Sequence, residues 1–360
     1  MCQREVVVKS RGLLVASILA GSWRASPSTL NLSPEDLDEI TPLLFGSGAE
    51  ALAWRCVSNT ELSTTAPAQL LHQAYRLQAL QVAMRSEKIE AIHRFLKEAG
   101  VDAILVKGWA VAGYYPEPAL RPLGDIDLLV KPADYKAAQE VLEKPETRGC
   151  WVDLHNRLTE LQDRSHDELF SRSQIVKLRE TRIRVLSLED HLALLTIHLL
   201  KHGGWRPLWL CDIAAIVESL PVDFDWNICL GSDKRRGSWI SAVIVLANQL
   251  LGANLDRVPV RVRAKEVPAW LREGVLKQWG NLFPADHLPV QPRPLMSDVR
   301  SSPREVFKET WERWPDSITA TFNLKGRINN FPRWPYQLVA FSAQAGRYLI
   351  DCLRRVPVRP

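Results

Sequence analysis

ILVKGWAVAGYYPEPALRPLGDIDLLV, residues 104–130, is the stretch from which the rest of the chain is read. Its pattern predicts a strand, a glycine turn at Lys107-Gly108, a short helix, a loop, and a second strand that begins with Asp125 and Asp127. Side chains two apart on a strand share a face. Ile126, Leu128 and Val130 then point to the opposite face and anchor the acids in a core. Two carboxylates side by side oppose each other's ionisation, and a divalent cation with oxygen ligands removes that cost. The glycine lets a phosphate approach the backbone, and the helix behind it offers N–H groups to an anion. Alone, an Asp-x-Asp is more often a solvated strand end and a Lys-Gly a simple turn. Together, and in this order, they predict metal-assisted nucleotide chemistry.

Downstream, residues 132–143 predict a helix and 151–155 (WVDLH) a further strand. In that strand Asp153 alternates with Val152 and Leu154. It joins the acid pair if the strands adjoin, and is otherwise an exposed strand residue. His155 shares its face, either to contact substrate or to hydrogen-bond a carboxylate. Residues 175–178 and 182–186 flank Arg179-Glu180-Thr181 as a hairpin. Upstream, residues 67–99 predict one long helix, with Tyr75, Val82, Ile89 and Leu96 seven apart, Leu71, Ile92 and Phe95 on the same side, and Gly100 ending it. Strands separated by helices in this way predict an α/β core.

Residues 90–220 resemble the bacterial uncharacterised nucleotidyltransferase family, within the superfamily related to DNA polymerase beta. The residues that carry the resemblance are the Lys107-Gly108 turn, the Arg-Pro-x-Gly-Asp-x-Asp run 121–127, and the Asp153-x-His155 strand. The superfamily turn is usually Gly-Gly or Gly-Ser, whereas Trp109 follows Gly108 here. The resemblance implies an enzyme that moves a nucleoside monophosphate from an NTP (ATP is the first choice) to an acceptor hydroxyl. It implies Mg²⁺ (or Mn²⁺) on Asp125, Asp127 and Asp153, with Asp153 near the acceptor as ligand or base. Lys107, Gly108 and Trp109 would form the nucleotide side. Arg121 would either reach the phosphates or close a loop salt bridge. A small molecule or a peptide is the expected acceptor.

The sequence thus predicts an α+β protein with a small mixed-sheet nucleotidyltransferase-like core, residues 67–186. A helical region, 1–66, precedes it; a helical acceptor-pocket domain, 187–282, and a proline-rich linker with a basic, aromatic tail, 283–360, follow it. Ser33-Pro34-Glu35-Asp36 reads as a helix start. Residues 12–21 faintly resemble a signal peptide, but an N-terminal helix is the preferred reading. Ser187 caps the next predicted helix, which places His191, His198 and His202 on one face. The Glu of a zinc-protease motif is missing, so packed imidazoles come first and substrate contact at His198 and His202 second. Asp212 either pairs with nearby basic residues or lines the acceptor pocket.

Hydrophobic content of 46% and charge of 24% suit a globular chain of 360 residues with more than one core. A net charge of +5 suits an anionic nucleotide better than it marks nucleic acid as a partner. The six cysteines are scattered, which reads as thiols of a reducing cytoplasm. No apolar run reaches the ~18 residues of a membrane span. Two rival readings remain: a glycosyltransferase using Asp-x-Asp on a nucleotide-sugar, and an inactive scaffold that keeps the fold.

Overall fold

The computed structural model describes residues 3–147, 151–282 and 314–354. Cys2, Cys150, Trp311 and the proline-rich stretch 284–303 lie outside the described residues. Four helices come first: α1 (Gln3–Leu19), α2 (Pro34–Ser47), α3 (Glu50–Val57) and α4 (Ala66–Glu98). At the start of α2 the Ser33 hydroxyl accepts from the Asp36 N–H while the Asp36 carboxylate accepts from the Ser33 N–H, with Pro34 in the first turn. These bonds use backbone donors that no helical carbonyl reaches. In α4, Leu71, Val82, Ile89, Ile92 and Leu96 are buried, while Tyr75 is half-buried and donates its hydroxyl to Glu117.

The sheet has five strands: β1 (Ala103–Val106), β2 (Ile126–Val130), β3 (Val152–His155), β4 (Gln174–Leu178) and β5 (Thr181–Val185). Their order is β3-β2-β1-β5-β4. β1 runs antiparallel to β2 and parallel to β5; β2 runs parallel to β3; β4 and β5 form the hairpin. Every residue of β1 and β2 is buried, because both faces are covered. On one face Leu105, Ile126, Leu128 and Val130 pack with Ile89, Ile92 and Leu96 of α4 and with Ala138 and Val141 of α6 (Tyr135–Leu142). On the other, Ile104, Val106 and Leu129 join the large helical core. β3 is an edge strand and stays partly open.

That helical core is built from both ends of the sequence. α1, α2 and α3 pack into it with α8 (Leu188–Lys201), α9 (Pro207–Glu218), α11 (Lys234–Leu251) and α13 (Ala269–Trp279). The segments 1–66 and 187–282, read from the sequence as separate regions, share this one apolar interior. α1 and α13 touch backbone to backbone. A Cβ on Gly12 would lie 2.0 Å from the Leu276 carbonyl oxygen, and one on Gly280 would lie 1.9 Å from that of Val8. Only glycine permits that approach. α5 (Gly108–Ala112), α7 (His166–Arg172), α10 (Trp226–Leu230) and α12 (Val260–Arg263) are short connectors, and α14 (Ser317–Asn323) and α15 (Trp334–Arg354) end the described chain. The result is an α+β fold: a mixed five-stranded nucleotidyltransferase-like core embedded in helices. Among the described residues no helix is long and apolar enough to cross a membrane.

Candidate active site

The first turn after β1 is strained. Lys107 has φ 55° and ψ −146°, a region that favours glycine, and Gly108 follows at φ 36°. The backbone N–H of Lys107 donates to Nε2 of His191, at 3.1 Å, from the first turns of α8. His191 is wholly buried, and burial, helped by the charges of Arg121 and Lys107, pushes its pKa down to about 4. It is therefore a neutral acceptor fixing the turn, a role for which its sequence position gave no signal. Nothing crowds Gly108: an added Cβ would come no closer than 3.9 Å to the Asp125 carbonyl oxygen. Its glycine identity answers to conformation, not to space.

The turn delivers the Lys107 ammonium to Asp127, with Nζ 2.8 Å from Oδ1. Asp127 sits second in β2, and its register partner on parallel β3 is Asp153. Two residues further along β3, His155 shares the Asp153 face. Its Nε2 lies 3.2 Å from Asp127 Oδ1 and 3.2 Å from Asp153 Oδ2. Ligand atoms of Asp127, Asp153 and His155 all fall within 4.8 Å of one another. Asp127 is nearly covered, while the Asp153 side chain remains 53% exposed because β3 is an edge. Burial opposes ionisation of Asp127, but the His155 hydrogen bond and the Lys107 charge outweigh it and hold its pKa below the usual carboxylate range. Two carboxylates and an imidazole at this spacing form a donor set for a divalent cation, and the Lys107 ammonium supplies positive charge beside Asp127.

Asp125 stands outside this group. It precedes β2, is exposed, and lines a narrow cleft with Gly108, Trp109, Gly124, Asp127 and Arg85 of α4. Arg85 makes no hydrogen bond or ion pair among the described residues. The sequence did carry a signal for it: Arg85 interrupts the apolar row from Val82 to Ile89, on the side of α4 that meets the sheet. Trp109 is half-buried against the same apolar cluster.

Arg121 and Asp212 meet each other instead of lining a pocket. Asp212 is fully buried in α9; Arg121 Nη2 lies 2.9 Å and Nε 3.2 Å from its carboxylate, and the Tyr115 hydroxyl donates to it at 2.7 Å. Of the two roles open to Arg121, the ion pair is the one observed. Burial opposes the Arg121 charge, but the Asp212 carboxylate more than offsets this and raises its pKa. The pair pins the loop that leads into Asp125 and Asp127. On its other side Gln78 of α4 donates to the Ala119 carbonyl at 2.6 Å.

His198 and His202 lie on α8 and just after it, in a ring cluster with Trp209. The centroid distances are 4.5 Å between the histidines and 4.7 and 5.5 Å to Trp209. His198 Nδ1 is 3.4 Å from Glu160 Oε1, and Lys201 Nζ is 3.0 Å from the same atom. Burial opposes the Glu160 charge, but the His198 hydrogen bond and Lys201 drive its pKa far down. Burial likewise pushes the His198 pKa down, against the pull of Glu160. Lys107 is close enough to act on both groups, so this cluster borders the acid site. Glu160 gave no sequence signal, since nothing local marks a carboxylate that is completed by a helix forty residues away.

Comparison with known proteins agrees with this geometry at the level of family. No curated protein and no solved structure matches the chain. The model of the family described as "uncharacterised nucleotidyltransferase" matches residues 33–251, which takes in the sheet, the turn, the acid cluster and α8 to α11. With more than half of its length matched, this chain belongs to the uncharacterised nucleotidyltransferase family.

Proposed function

We propose that this protein transfers a nucleoside monophosphate from an NTP to a hydroxyl of an acceptor, with pyrophosphate released. The observation that carries the reading is Asp127 set opposite Asp153 on adjacent parallel strands, with His155 closing the group. A divalent ion held by Asp127, Asp153 and His155 would neutralise charge on the phosphoryl oxygens. An imidazole among the donors suits Mn²⁺ better than Mg²⁺, which takes oxygen ligands. Lys107 would hand its charge from Asp127 to a phosphate oxygen, and Arg85, at the cleft, would hold the outer phosphates. Asp125 completes the acidic rim and Trp109 the cleft wall. Asp153, the exposed acid, would hold the ion through one oxygen and take the acceptor's hydroxyl proton on the other. His198, His202 and Trp209 form the neighbouring wall on the acceptor side. A peptide or a small hydroxylated molecule fits this reading, and ATP is the first nucleotide to try.

The test is isothermal titration of ATP, CTP, GTP and UTP with Mn²⁺ or Mg²⁺, on the wild type and on Asp127→Asn. Mass spectrometry of a cell extract treated with the protein and the bound nucleotide then seeks a monophosphate adduct. The expected result is metal-dependent triphosphate binding, at least 100-fold weaker in Asp127→Asn, and an adduct that the variant does not form. Absence of any triphosphate binding with either metal overturns the reading in favour of a scaffold. Tighter binding of a nucleotide-sugar overturns it in favour of glycosyl transfer.

A further inference from the structure

From Ser317 to Ile350 the sequence has four cations, Lys325, Arg327, Arg333 and Arg347, and no Asp or Glu. At the chain's average, with 41 acids in 360 residues, about four acids would fall there. One side of this stretch is firmly docked. Trp239 Nε1 donates to the Gly326 carbonyl at 3.1 Å and Trp270 Nε1 to that of Asn329 at 2.8 Å. The buried Arg333 guanidinium lies 4.7 Å from the Trp270 ring and 5.1 Å from the Tyr336 ring. In α15, Gln337 donates to the Pro315 carbonyl at 2.8 Å, and Phe341 meets Trp314 at 5.2 Å.

Docking in this way turns the other side outward. Phe331 is 61% exposed, Trp334 62%, Leu338 46% and Val339 53%, with Leu324 at 39% and exposed Lys325 and Arg327 close by in sequence. Single exposed apolar residues are ordinary; five large ones within sixteen residues mark an interaction surface.

We propose that this face docks on a membrane surface rich in anionic phospholipid headgroups. Trp334 and Leu338 stand one turn apart on α15, so they enter an interface together. Aromatic rings settle at the headgroup boundary, aliphatic chains reach just below it, and flanking cations meet the lipid charge, each raising binding about fivefold. Three alternatives fit less well. RNA recognition uses rings that stack on bases, which Leu324, Leu338 and Val339 lack. A second copy would set two segments with four cations and no acid of their own against each other, although Glu266 borders each at Asn330. The segment 283–313 carries five acids and five Lys/Arg, and so offers no net charge to complement the face. The inference stands apart from the transfer chemistry.

Flotation of the full chain with vesicles of phosphatidylcholine alone, or with ~30% phosphatidylglycerol, tests it. Two variants accompany the wild type: Phe331→Ser/Trp334→Ser/Leu338→Ser and Lys325→Glu/Arg327→Glu. All five positions are exposed, and circular dichroism and thermal melts check that the fold is kept. The wild type is expected to bind anionic vesicles at least tenfold better than neutral ones. The triple variant should lose at least tenfold, and the charge reversal should abolish the preference. No binding to anionic vesicles at low salt overturns the proposal, as does binding unchanged in the triple variant. So does a light-scattering dimer, or poly(U) binding stronger than vesicle binding, that the triple variant abolishes. Strong protection of the Phe331, Trp334 and Leu338 side chains from hydroxyl-radical labelling in the free protein also overturns it, because the chain itself then covers the face.

Discussion

Asp127 and Asp212 are both buried carboxylates held by a cation, and both were picked out from the sequence as site residues. They differ in what surrounds them. Asp212 is sealed in α9, with a two-pronged Arg121 contact and a Tyr115 hydroxyl on its oxygens. Asp127 lies beside an open edge strand, with a lysine on a strained turn, a shared histidine and a second, exposed acid for company. The first cluster is closed and balanced in charge. The second has spare oxygen lone pairs, surplus negative charge and access to solvent. A closed, balanced pair holds a fold together, whereas an open and unbalanced one is available to an ion and a substrate.

The sharpest way to break this contrast is to neutralise each acid in turn. Asp212→Asn leaves the Arg121 charge buried without its partner, and stability in urea should fall by about 3–5 kcal/mol. Asp127→Asn leaves Lys107 able to reach water, so its loss should be about 1 kcal/mol while triphosphate binding weakens at least 100-fold. Equal losses of stability in the two variants would erase the distinction drawn between the clusters.

A second test uses acid. His191 is buried neutral with its pKa pushed down to about 4, against ~6.5 in the unfolded chain. Between those values the unfolded state binds more protons, so stability rises with pH there. The contribution is fully present above pH ~6.5 and is lost as pH falls toward 4, amounting to about 3 kcal/mol. Asp127, with its pKa held low, loses its own contribution only at lower pH. Urea midpoints from pH 7.5 to 4.5 should therefore fall in the wild type and fall less steeply in His191→Gln. Because His191 fixes the Lys107 turn, the same variant should also weaken triphosphate binding at pH 7.5.

The smallest expected effect is at Arg85. Arg85→Ala should weaken metal–ATP binding about tenfold, equal to ~1.4 kcal/mol, and leave Mn²⁺ binding without nucleotide unchanged. Both are read by titration. Unchanged ATP affinity would remove Arg85 from the nucleotide side and leave the acid cluster untouched.

Much of the sheet was legible because its signals are local. Alternation in Ile126–Val130 and Val152–His155, the turn at Gly108 and the periodic face of α4 each need only a few neighbouring residues. The same alternation placed Asp153 and His155 on one face before the strands were known to adjoin. The rest depends on distant partners. Arg121 meets Asp212 across 91 positions and Lys107 meets His191 across 84, and no local pattern encodes which charge finds which. Asp125 and Asp127 share a motif but not an environment: one is exposed before the strand begins, the other is buried within it. The helical face of α4 could be read, but not that Arg85 on it would come to rest beside the Gly108 turn.

The glycine crossing of α1 and α13 has a consequence for how the chain is made. Gly12 lies against the Leu276 carbonyl, and that partner leaves the ribosome some 260 residues later. At about 5–20 residues per second the delay is roughly 13–50 s. For that interval the apolar side of the first helix, with Val15, Ile18 and Leu19, waits without its final partner. Completion of the helical interior is a late event of synthesis, and a bulkier residue at either glycine would be felt first in the yield of folded protein.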